Sequence, residues 1–236
     1  MTVVQTTTSA REAGAVETVV RTVPFGRTIA ATALVIGAGL NTAESVLGRA
    51  LLGERPEKST ELMALLAQNE GTRTLVSVLG TLAIPFMFAG FIALAHLLRR
   101  GARRTANAAL ALLGLGMWGF LGMHIVSLTE VPVLRAVGVE QAAAVMDEIQ
   151  STPLLGALFL VPFLAGTFIG MVTLALGLLK TGVLPRWIPA ALLTFIVLDF
   201  SVGPIDLVDP HWLWLAAAAG AAAAIMRMGE RELANA

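Results

Sequence analysis

The stretch Met123-His124-Ile125-Val126-Ser127-Leu128-Thr129-Glu130 closes a long apolar run with an imidazole and a carboxylate. Ionisable groups inside such a run cost about 2.5–3.5 kcal/mol on insertion scales, so those that persist face a bundle interior and mark function. Glu44 is a second group of this kind, with Asn41 one helical turn away on the same face. Asp199 is the most deeply placed acid, set between Leu198 and Phe200. A carboxyl among apolar side chains suits a proton donor or carrier. The expected catalytic set is therefore Asp199 as donor, with Glu44 and His124 as its partners.

Around these the chain supplies polar and aromatic groups that would contact a substrate. Asn41, Asp206 and His211 are the polar candidates, and Trp118 and Phe195 the main aromatic ones, with Phe88, Phe120, Trp212 and Trp214 beside them. Glu130 reads as a carboxylate at a helix end in the interface, and Asp209 as the cap of the last helix. An acid in an aromatic cavity is what protonating an alkene or epoxide and sheltering a carbocation requires. Small membrane-bound terpene cyclases meet the same requirement, and the chain resembles them in size, helical character and intramembrane acids. The alternative is a carrier with Asp199 and Glu44 as proton or cation sites. Six short spans would then point to a homo-oligomer.

Several chemistries drop out. Cysteine is absent, which removes disulfides, thiolate nucleophiles and Cys-ligated metals. Glu44, His124, Asp206 and His211 are acceptable ligands for a divalent metal, but no His-x-x-x-His or Glu-x-x-His spacing is present, so no metal or other cofactor is expected. Sixteen basic residues balance sixteen acidic ones, and no basic stripe interleaved with aromatics appears, which argues against nucleic acid as a partner. The expected partners are the lipid bilayer and a lipophilic small molecule.

The elements that must position these groups are membrane spans. With 56% hydrophobic and 14% charged residues the chain is too apolar for a water-exposed surface. Runs of roughly 20 apolar residues, the length that crosses a bilayer, predict an all-α protein of six transmembrane helices. They cover 26–52, 74–98, 106–127, 153–179, 184–203 and 210–228. Glu61-Leu62-Met63-Ala64-Leu65-Leu66, and Leu134, Val137, Val145, Met146 and Ile149 against Arg135, Glu140, Asp147 and Glu148, predict two amphipathic segments on the surface. Thr152-Pro153 and Asp209-Pro210 each read as a side-chain cap followed by proline at the first helical position. Gly203-Pro204 breaks the fifth span and makes Ile205 to Asp209 a tight turn.

Arg99, Arg100, Arg103, Arg104, Lys180, Arg186, Arg227 and Arg231 gather at alternate span ends. The positive-inside rule then places both termini in the cytoplasm of a bacterial-type cell, in the inner membrane. Residues 1–25 read as a disordered cytoplasmic tail, 26–228 as the transmembrane domain and 229–236 as a second tail. Ala83-Ile84-Pro85-Phe86-Met87 resembles Leu160-Val161-Pro162-Phe163-Leu164, which suggests a parallel repeat of helix pairs. On that register Glu44, His124 and Asp206 recur at nearly even intervals and share one depth. Finally, Gly182-Val183-Leu184-Pro185-Arg186-Trp187 resembles the Gly-x-Leu-Pro-Arg-Trp turn between two late helices of an uncharacterised group of small bacterial multispan proteins. That resemblance implies a fold and carries no activity.

Overall fold

In a computed structural model, residues 26–53, 56–201 and 209–228 are described. They form helices alone, with no strand among them. We number these α1 (Arg27–Leu52), α2 (Ser59–Gln68), α3 (Glu70–Val137), α4 (Val139–Ser151), α5 (Pro153–Thr181), α6 (Trp187–Ser201) and α7 (His211–Arg227). Three of them, α1, α3 and α5, are long and apolar enough to cross a membrane. The expected tails, Asp206 and the Gly203-Pro204 turn lie outside the described residues.

Helix α3 is two arms. Ala102, at φ −153° and ψ 65°, leaves helical geometry in the middle of the arginine cluster, and the chain doubles back there. The far ends of the arms meet again, where Arg73 binds Glu130 at 2.7 Å and Arg135 binds Glu70 at 2.7 Å. These ion pairs explain why the arms run past the apolar stretches read from sequence, starting at Glu70 and ending at Val137. Leu134 and Val137 consequently belong to α3 and not to a surface segment.

Alpha-helical neighbours close a ring: α1 packs on α3 and α7, α3 on α5, α5 on α6, and α6 on α7. The contacts are close because small residues line them. Gly116, Gly119 and Gly122 of α3 lie against Gly166, Phe159, Phe163 and Thr167 of α5, where a side chain on any of the three would collide. Opposite that stripe α5 is π-helical over Gly156–Leu160 and Pro162–Gly166. Proline lacks the N–H that would close the helical ladder, so the turn around Pro162 widens. Pro85, its proposed repeat partner, sits in ordinary α-helix, so the two proline segments do not share local geometry.

Towards the Ala102 end the bundle is a continuous apolar core. Leu94, Leu97, Leu98, Leu113, Leu174, Leu178, Ile188, Ala221 and Ile225 are all buried in one cluster. Gly182 ends α5 in the left-handed region at φ 64°, its N–H bonded to the Leu178 carbonyl, which is the physical content of the Gly-x-Leu-Pro-Arg-Trp turn. Thr152 does not cap α5: its hydroxyl donates back to the Glu148 carbonyl at 2.8 Å. At the opposite end α2 and α4 pack on each other through a separate cluster of Leu62, Met63, Leu66, Leu134, Ala142, Ala143 and Met146. Ser59 of α2 also donates to Asp147 of α4.

Candidate functional site

A cavity of about 730 Å³ lies inside the ring, beneath α2. Its walls change in character with depth. Helix α1 presents Leu52, Arg49, Ser45 and Asn41 at steps of three or four residues, one face of the helix, with Glu44 beside Ser45. Leu62, Leu65 and Leu66 of α2 and Arg73 of α3 surround the mouth. Below the polar level the lining is apolar, with Phe91, Phe120, Phe163, Phe195, Phe200 and Trp214 interleaved with Met87, Met117 and Met171. Methionine and aromatic rings give an adaptable, polarisable surface for an irregular apolar ligand.

Two imidazole–carboxylate pairs stand at the polar level. In the first, His124 Nε2 lies 2.9 Å from Glu44 Oε1 and His124 Nδ1 3.0 Å from the Phe120 carbonyl. A carbonyl oxygen only accepts, so Nδ1 carries a hydrogen. Nε2 then either accepts from a protonated Glu44 or donates to its carboxylate, and the pair is neutral overall in both forms. Asn41 Nδ2 donates to the second carboxyl oxygen at 3.5 Å. Glu44 fronts the cavity and the buried His124 stands behind it. The pair occupies the space that a side chain at Gly80 would fill, since a Cβ there would fall on both the Glu44 carboxyl and His124 Nε2.

The second pair joins α7 to α1. Asp209 Oδ1 accepts from the His211 backbone N–H at 2.9 Å and lies 2.8 Å from His211 Nδ1, while Oδ2 accepts from Ser45 Oγ at 2.6 Å. Thr42 donates to the His211 carbonyl at 3.1 Å, so both residues flanking this junction on α1 hold it. Burial pushes the Asp209 carboxyl up, but the His211 ring, Ser45 and the His211 N–H outweigh that and hold it well below the usual carboxylate range. Asp209 thus stays an ionised acceptor that fixes the ring tautomer with hydrogen on Nδ1. His211 Nε2 has no partner among the described residues, and the ring lines the cavity. Asp199 Oδ1 is 3.8 Å from His211 Nδ1.

The chain matches the model of a family over residues 63–220. It belongs to DUF6796, a family of unknown function. The DUF6796 segment includes His124, Asp199, Asp209 and His211 and begins after α1, so the Glu44 side of the cavity lies outside the matched residues. Searches of curated proteins and of solved structures return no match.

Of the residues read from sequence, Asn41, Glu44, Phe195, Asp199 and His211 line the cavity, and His124 backs it. Trp118 does not join them: it is 56% exposed on the outer surface of α3, against Phe159. Trp212 also faces outward, because it is one residue from His211 and two from Trp214, which point in. Glu130 is buried and held by Arg73. Sequence reading passed over Ser45, Arg49 and Arg73 as lining residues and gave Asp209 a capping role alone. The three-and-four spacing of Asn41, Ser45, Arg49 and Leu52 carries the signal for the first two; nothing local marks Arg73 or the second bond of Asp209. Among the described residues no three His, Asp or Glu side chains converge on a metal position.

Proposed function

We propose that this protein is an integral membrane enzyme that works by acid/base chemistry on a lipophilic small molecule held in the cavity. The observation that carries the reading is the presence of two proton-transfer pairs on one apolar-floored cavity, each with a different member turned inward. His211 offers an unoccupied nitrogen oriented from behind by Asp209, the arrangement of a general base. Glu44, supplied with protons from His124, is the acid on the α1 wall, and Asp199 beside His211 is the second acid. One proton taken at Nε2 and one given by Glu44 leave the ligand's composition unchanged, which fits isomerisation or cyclisation of an unsaturated lipid or terpenoid-like molecule.

In this reading α1, both arms of α3, α5, α6 and α7 are the six spans. The arginine-rich Ala102 end is cytoplasmic, as are both termini, and the α2–α4 end faces outward. Metal or cofactor is not required by the two pairs. A proton-linked carrier is the alternative, and the continuous core between the cavity and the Ala102 end argues for the enzyme instead, since a carrier needs a path to the second face. The test is to purify the protein from its native membrane, identify co-purifying lipids by mass spectrometry, and incubate them with protein in D2O. Deuterium entering a lipid in the wild type, and not in His211→Asn, is the expected result; no incorporation with any bound lipid would sink the enzyme reading.

A further inference from the structure

Among the described residues, the charged side chains that line the cavity have partners within 4 Å, with an exception at its mouth. Glu44 has His124 and Asn41, Asp199 has His211, and Arg73 has Glu130, all within 4 Å. Arg49 lines the same cavity, half-buried, and has no hydrogen bond or ion pair within 4 Å among the described residues; Asp199 acts on it only through space, across the cavity. Glu44, one turn deeper and the obvious partner by spacing, is turned to His124 instead. A guanidinium offers five donors, and an acid acting on it from beyond hydrogen-bond reach leaves all of them unfilled at the cavity wall, which is unfavourable. A ligand that supplies an anion at that level restores the match.

We infer that the molecule held here is an anionic amphiphile whose carboxylate or phosphate head binds Arg49. Its chain descends past Glu44 and His211 into the aromatic and methionine zone. This rests on the reading of the cavity as a substrate site and adds the substrate's charge and polarity. The depth is consistent with a lipid of moderate length: α1 runs about 18 Å from Arg49 to the level of Gly37 at 1.5 Å per residue. Gly37 packs on the backbone of Met87, one of the lining residues. The head group at Arg49 would place the first carbons of the chain, rather than its end, between the two proton-transfer pairs. Guanidinium suits either anion because its fork matches both carboxylate and phosphate oxygens.

The experiment is a titration of the full chain, purified in maltoside micelles, with four probes of one chain length: dodecyl phosphate, dodecanoate, dodecylamine and dodecanol. Heats of probe entering empty micelles are subtracted. Wild-type protein should bind at least one anionic probe about tenfold or more tightly than the amine and the alcohol, the size expected for charge-assisted hydrogen bonds. Arg49→Gln should lose that preference while its affinity for dodecanol stays unchanged, and Arg49→Lys should keep most of it, which separates loss of charge from loss of fold. Phosphate bound more tightly than carboxylate identifies lipid phosphates as the class; the reverse identifies fatty acids. Equal or tighter binding of dodecylamine, or an anion preference that survives in Arg49→Gln, overturns the inference. His211→Asn separates this from the enzyme reading: retained anion binding with retained deuterium incorporation would remove the catalytic role and leave the Arg49 assignment standing.

Discussion

The two imidazole–carboxylate pairs use the same chemical parts in opposite order. At Glu44–His124 the carboxyl faces the cavity and the ring stands behind it, with both ring nitrogens engaged. At Asp209–His211 the ring faces the cavity and the carboxylate stands behind it, with Nε2 left without a partner among the described residues. The difference lies in what each backing group does. A backing imidazole exchanges a proton with the carboxyl in front, whereas a backing carboxylate, ionised and held by three donors, fixes the ring in front as an acceptor. On the function proposed above, the first pair would serve as a closed store and the second as an open base. The largest expected effect of breaking this contrast is on His211: His211→Asn should reduce turnover by about 10²–10⁴-fold, the usual worth of a positioned general base. Deuterium incorporation into bound lipid measures it. Stability should fall by about 1–2 kcal/mol, since Asn keeps the backbone N–H to Asp209 but loses the ring's bond to that carboxylate.

Gly80→Ala attacks the other pair without touching either member. The added methyl falls where the Glu44 carboxyl and His124 Nε2 meet. The two groups must part, leaving buried polar atoms short of a partner as well as an overfilled space, a loss of about 3 kcal/mol. A melting curve in detergent should fall by several degrees. A double-mutant cycle on Glu44→Gln and His124→Ala should give a large coupling in Gly80 protein and almost none in Gly80→Ala. An unchanged melting point would mean that the pair contributes nothing to the bundle.

What the chain revealed in advance follows from which interactions are local. Helix positions depend on runs of apolar residues, and those are visible; hence the apolar stretches fall on helices or arms, of which three helices are long and apolar enough to cross a membrane. Glu44, His124 and Asp199 stood out because charge at depth is expensive wherever it occurs. The partners of these groups were not legible. Glu44 and His124 are brought together by the packing of α1 against both arms of α3, and the missing side chain at Gly80 makes room, a fact no local pattern encodes. Asp209 looked like a cap because it precedes proline, and it does accept a backbone N–H. Its second and third bonds, to the His211 ring and Ser45, exist because α7 starts beside α1. The aromatic lining was half legible for a related reason: a tryptophan's composition says nothing about which side of a helix it takes, and Trp118 takes the outer one.

Asp209→Asn sharpens the comparison from the carboxylate side. Asn keeps a carbonyl acceptor but loses the charge, so His211 is no longer held in one tautomer as an effective base. Stability should fall by about 2 kcal/mol, the scale for a buried hydrogen bond to a charged group. The pH dependence follows from the direction of the shift. Because the folded carboxyl ionises below its unfolded value near 3.9, its contribution is complete above that value and is lost as pH falls through the depressed folded one. Wild type and Asp209→Asn should therefore differ by a constant amount from pH 5 upward and converge only in stronger acid. Unfolding measured across that range checks the sign; convergence at neutral pH would mean that Asp209 is not the ionised partner described.

The smallest effect expected is at Thr42, and it tests whether the base depends on its own helix being held. Thr42 donates to the His211 carbonyl while Ser45, one turn on, donates to the carboxylate that orients the ring. Thr42→Val removes the first bond at nearly constant shape, at a cost of about 1 kcal/mol, since the carbonyl it served loses one donor. Turnover should fall no more than a few-fold if Asp209 alone sets the ring, because the Asp209 and Ser45 bonds remain. If turnover instead collapses as in His211→Asn, the orientation of the base comes from the α1–α7 contact as a whole. The pair would then be a product of helix packing, as Glu44–His124 is, and the contrast between a closed store and an open base would rest on exposure to the cavity alone.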